Sequence, residues 1–118
     1  MLIADIHHVS LNVSDVERSV AFYCDVLGLS ELPRPRLRNP GAWLDAGNGR
    51  QIHLIRADVP DDLGQHVSFA VADLDATVAA LTDAGVRISS PVHVGDTALR
   101  QSFANDPDGN RLEFTQLA

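Results

Sequence analysis

The chain has 118 residues, 45% hydrophobic and 21% charged, which is enough apolar material for one core and too few charges for a disordered chain. A net charge of −7 and a pI near 4.9 repel phosphate backbones and argue against a nucleic-acid partner. The single cysteine, Cys24, rules out an intrachain disulfide, no apolar run reaches the roughly 18 residues a membrane span needs, and MLIADIHHVSLNV has no leader pattern, so a cytoplasmic location is expected.

Taken in order, Ile6 to Val13 alternates polar and apolar residues and predicts a strand. Ser14 or Asp15 can cap a helix from about Val16 to Leu27, which Gly28 can end. Cys24 lies in that helical pattern and reads as a small apolar residue rather than a reactive thiol. Short strands are expected near Leu29–Leu32, Ala42–Ala46 and Gln51–Arg56, with Asn48-Gly49 as a hairpin turn. Pro33, Pro35 and Pro40 confine 33–40 to an irregular loop, in which Arg34, Arg36 and Arg38 form a local basic group in an acidic protein. That group reads either as a solvated loop or as a recruiter of an anionic substrate tail.

After the polar linker Asp58–Gln65, His66 to Val71 predicts a strand, and Asp73 caps a helix reaching about Ala84 before Gly85. Strands follow near Val86–Ile88, Leu99–Ala104 and Arg111–Leu117, with a turn at Asp106-Pro107-Asp108-Gly109. The order is therefore β-α-β-β-β, twice. The class is α+β, one domain over residues 1–118 built from a first module at about 3–57 and a second at about 64–118.

The halves are copies. HVSLNVSDVERSVAFY from His8 recurs as HVSFAVADLDATVAAL from His66, and GRQIHL at 49–54 recurs as GNRLEF at 109–114. This aligns His8 with His66 and His53 with Glu113.

Strand alternation assigns the faces. Val9, Leu11 and Val13 pack on the first helix, whose stripe includes Val16, Val20, Tyr23 and Leu27, so His8, Ser10 and Asn12 face away. In the second module Val67, Phe69 and Val71 face the helix, and His66, Ser68 and Ala70 face away. Gln51 and His53 oppose Ile52 and Leu54, while Arg111, Glu113 and Thr115 oppose Leu112 and Phe114. These polar faces are expected to line a concave cup in which His8, His53, His66 and Glu113 converge on one divalent ion: Fe, Ni, Co, Mn or Zn.

Each residue also has a plainer reading. Glu113 could pair with Arg111 or Arg100 instead of a metal, and His53 could serve as an acid/base beside the ion. Alternation points His7 away from His8, His93 falls in a loop-like stretch, and both read as structural or solvated. Trp43 could stack on a substrate in the cup or belong to an ordinary core or interface. Gln101 and Ser102 lie on a strand near the cup, with the inward-facing one left open.

Three segments, Ile6–Asp15, Gly64–Asp73 and Asp106–Phe114, resemble the vicinal oxygen chelate superfamily. It includes glyoxalase I, extradiol dioxygenases and bleomycin-resistance proteins. The resemblance covers nearly the whole chain and implies paired βαβββ modules around a metal, with ligands at His8, His66 and Glu113. Glyoxalase-I-like members carry Glu where this chain has His53, and many glutathione-using members carry insertions for which this chain looks too short. The implied chemistry is chelation of vicinal oxygens, with the metal stabilising an oxyanion and Glu113 or His53 moving a proton. The expected function is a metal-dependent isomerase or lyase acting on a small oxygenated substrate. The alternatives are an Fe(II) extradiol-type dioxygenase and a non-catalytic drug- or metabolite-binding protein. A homodimer is expected from the resemblance alone.

Overall fold

The computed structural model describes residues 1–117, in two compact units that divide between Pro60 and Asp61. In the first unit, strand β1 (His8–Val13) leads into helix α1 (Val16–Ala21) and a π-helical turn, Phe22–Val26. Strands β2 (Ser30–Leu32), β3 (Gly41–Asp45) and β4 (Gln51–Arg56) follow. The sheet order is β1-β4-β3-β2, with β1 parallel to β4 and the other pairs antiparallel.

Asp15 caps α1 as expected, its carboxylate accepting the Arg18 N–H at 3.1 Å. The predicted single helix changes pitch after Ala21: the Leu27 N–H reaches back to the Phe22 carbonyl at 3.1 Å, one residue further than an α-turn. Ser19 and Tyr23 are fully buried, so the stripe that meets the sheet centres on them, while Val16, Val20 and Leu27 are half-buried. Tyr23 packs in a core with Val13, Ala42, Leu44, Ile52 and Leu54. The Asn48-Gly49 turn forms, with φ of 55° and 76° at its centre, the doubly left-handed geometry that matches strand twist.

The second unit repeats the plan. Strand β5 (His66–Ala70) precedes α2 (Leu74–Asp83), then β6 (Val92–His93), β7 (Arg100–Asn105) and β8 (Arg111–Gln116). The order β5-β8-β7-β6 mirrors the first sheet, including the parallel β5–β8 pair. Asp73 caps α2 by accepting the Ala76 N–H at 3.0 Å. Leu74, Leu81, Ala104, Leu112 and Phe114 form the core.

The strand expected at Val86–Ile88 reduces to one bridge, Ile88 to Ala104, and the paired segment lies further on at Val92–His93. Ser89-Ser90-Pro91 interrupts the ladder. The Ser89 hydroxyl accepts the Phe103 N–H at 2.8 Å, and Pro91 has no N–H to give. His93 thus sits on a short strand rather than in a loop. Among the described residues, no helix is long and apolar enough to cross a membrane.

Candidate metal centre

On the polar face of the first sheet the register places Ser10, His53 and Trp43 side by side on three strands. His53 is 7% exposed. Its ring lies flat between two others: Trp43 at 4.4 Å and 6°, and His8 at 3.9 Å and 14°. Its Nε2 is 2.7 Å from Gln51 Oε1. Burial, then the neighbouring charges of His8, His7 and Arg34, lower the His53 pKa and favour the neutral imidazole a metal or a proton can use.

The lone pairs of stacked imidazoles lie in parallel planes, so His8 and His53 cannot share one ion without a rotation of one ring. His7 departs from expectation. It precedes the first strand, so alternation does not govern it, and its Nδ1 turns to within 2.8 Å of His8 Nδ1. Its ring meets His53 edge-on at 6.3 Å. Of the remaining predicted pocket residues in this unit, Ser10 is exposed, and Asn12 donates to the Asp58 carbonyl at 2.9 Å.

The second sheet repeats the row as Ser68, Glu113 and Phe103. His66 Nδ1 is 2.8 Å from the Gly64 carbonyl, and Nε2 is 3.0 Å from Glu113 Oε1. The carbonyl, opposed in part by burial and aided by the Glu113 carboxylate, raises the His66 pKa. Thr115 donates its hydroxyl to Glu113 Oε2 at 2.6 Å, and Ser68 Oγ lies 2.6 Å from Thr115 Oγ1. The rival ion pairs do not form: Arg111 pairs with Asp62 at 3.1 Å and Arg100 with Asp75 at 2.9 Å.

The orientation of Gln101 and Ser102 is settled by the β7–β8 register. Ser102 is fully buried on the helix side, whereas Gln101, paired with Thr115, belongs to the polar face. Phe103 was missed by the sequence reading. It meets the His66 ring edge-on at 5.6 Å and stands where Trp43 stands in the first unit. The spacing that equates His53 with Glu113 equates these two aromatics, so extending the repeat alignment would have found it.

The donor chemistry fits a divalent ion. The Gly64 carbonyl holds Nδ1–H, so Nε2, whose proton bonds the Glu113 carboxylate here, is the nitrogen that would give up that proton to an ion, as in metal-bound histidines. Bonds of about 2.1 Å place neighbouring ligands about 3.0–3.4 Å apart, and the His66–Glu113 separation of 3.0 Å falls in that range. Among the described residues the four donors come as two pairs, His8 with His53 and His66 with Glu113, and no group of three forms a ready cage.

Residues 5–114 match the family model of the Glyoxalase/Bleomycin resistance protein/Dioxygenase superfamily. A curated relative, Glyoxylase I 4 of Arabidopsis thaliana, is 32% identical over 95% of this chain and 70% of its own length. The lactoylglutathione lyase of Haemophilus influenzae is also 32% identical, over 92% of this chain and 90% of its own, so length does not separate the chain from a lyase of that name. Among solved structures, a Bacillus anthracis protein assigned to the glyoxalase family superposes with a TM-score of 0.89 at 25% identity. That alignment covers 100% of this chain and 98% of the other.

Proposed function

From the premise that the chain belongs to the Glyoxalase/Bleomycin resistance protein/Dioxygenase superfamily, we propose that it is a divalent-metal-dependent isomerase or lyase acting on a small oxygenated substrate. The observation that carries the reading is the His66–Glu113 pair, 3.0 Å apart, with the imidazole tautomer fixed by the Gly64 carbonyl. His8, which the sequence repeat equates with His66, is kept in the proposal as a further donor. His53 is the fourth donor if its ring turns out of the stack, and otherwise a neutral imidazole placed to take a proton. When bound, the ion would supply stabilisation of negative charge developing on a substrate oxygen. Thr115 holds Glu113 Oε2, leaving Oε1 to face the ion or the substrate. Trp43 in the first unit and Phe103 in the second each supply an aromatic wall beside the polar residues of their own sheet.

The test is metal content after supplementation with Ni, Co, Zn, Mn and, anaerobically, Fe(II), followed by assay of lactoylglutathione chemistry. About one ion per chain is expected, with His66→Ala and Glu113→Gln each weakening retention. A chain holding no divalent ion under any of these conditions ends the proposal. Retention of iron with oxygen uptake on catechols would move the reading to a dioxygenase, since two His and one carboxylate also suit Fe(II).

A second reading, ligand binding without catalysis, is favoured by the flat Trp43–His53 wall. It predicts ligand affinity unchanged by chelation and by His66→Ala. A homodimer remains part of the proposal, and a monomer by light scattering at high concentration would remove it.

A further inference from the structure

We propose that Arg34 anchors a carboxylate of the substrate, so that the site takes small oxygenated carboxylic acids rather than neutral compounds. The inference rests on the functional reading above and adds a substrate class to it.

Arg34 is held differently from the arginines paired with aspartates, Arg50, Arg100 and Arg111, and from Arg18, which donates to the Ser14 hydroxyl at 3.1 Å. Among the described residues no carboxylate pairs with Arg34, and its one polar contact is an NH2 donated to the Asn39 carbonyl at 2.9 Å. Its Nε is buried with no acceptor, a placement that costs stability and calls for a reason.

The fold makes room for that placement. The guanidinium lies where Gly41 has no side chain, and a Cβ there would run into it and into the Leu54 carbonyl. Gly41 opens the strand that carries Trp43, two residues on. Residues 41 and 43 of one strand share a face, and Trp43 stacks on His53, so the guanidinium lies on the face that carries the candidate centre. A guanidinium is always charged and matches a carboxylate in geometry. Here one is fixed in orientation, has no carboxylate partner among the described residues, and stands on the face that carries Trp43. Arg36 and Arg38, on the same loop, are exposed and serve as internal controls.

The experiment compares benzoate with benzamide, close in shape and different in charge, by calorimetric titration of the full chain stripped of metal. Benzoate is expected to bind about tenfold or more tightly than benzamide. Arg34→Gln should shrink that preference below about twofold, while Arg36→Gln leaves it unchanged. Equal binding of the two probes, no saturable benzoate binding, or a preference that survives Arg34→Gln would overturn the proposal. If Arg34→Gln does not fold, the Arg34 Nε–H resonance of the native chain decides: it must shift with benzoate and not with benzamide. Because the titration is done without metal, its result is independent of whether the chain proves to be a metalloenzyme.

Discussion

Replacing Asp106 by alanine should destabilise the second unit at the hairpin that delivers Glu113. Asp106 is 4% exposed. Its Oδ1 accepts the backbone N–H groups of Asp108 and Asn110, and its Oδ2 accepts the Asn110 amide, all at 2.9 Å. Hydrogen bonds to a charged group are worth about 1.5–3 kcal/mol net. Asp108 and Asn110 are half-buried, so water replaces part of what is lost and the lower figure applies. Two backbone bonds at about 1.5 kcal/mol each give a loss of about 3 kcal/mol, or about 10 °C in Tm for a chain of this size. Asp106→Asn keeps one acceptor for the two backbone N–H groups but loses the charge and the oxygen that takes the Asn110 amide, so about half the effect is expected. The assay is urea unfolding of the metal-free chain followed by far-ultraviolet circular dichroism. An alanine variant within about 1 kcal/mol of the native chain, or an asparagine variant as damaged as the alanine one, would refute the reasoning.

Gly41→Ala should cost about 1–3 kcal/mol by overpacking, because the new methyl meets the Leu54 carbonyl backbone as well as the Arg34 side chain; a neutral effect in denaturant unfolding would show that the strand yields freely. In the metal-free chain, NMR titration should find His66 titrating above about 6.5 and His53 below it, the two rings bracketing the ordinary histidine value. The signs for stability are opposite. The His66 contribution is complete below about pH 6.5 and is lost as pH rises through its raised pKa, whereas the His53 contribution is present above about 6.5 and is lost as pH falls towards its lowered one. Trp43 is the single tryptophan and lies on His53, so its fluorescence should follow the His53 titration, and a profile that survives His53→Ala would show that it reports something else.

Much of this was written in local sequence. The duplication paired His8 with His66 and His53 with Glu113, strand alternation put all four on polar faces, and Asp15, Asp73 and Asn48-Gly49 act as their chemistry dictates. What escaped depended on non-local pairing. Alternation cannot be extended past a strand's end, so His7 was placed on the wrong side. Whether Gln101 or Ser102 joined the polar face was fixed only by the β7–β8 register. The ladder gap at Ser89–Pro91 moved the last edge strand. The π-helical turn has no signal in residue type, because Phe22–Val26 would suit an α-helix equally well.

The strand order β1-β4-β3-β2 also has a kinetic consequence. The pairs β2–β3 and β3–β4 join neighbours in sequence, whereas β1 must find β4 across the intervening helix and meander. Contacts of that span close late, after the local hairpins have formed. In both copies it is the late strand that brings the histidine, His8 or His66, to its partner on β4 or β8. Each donor pair therefore comes into being only as its sheet completes, and amide protection in β1 and β5 should lag behind that in β3 and β7 during refolding.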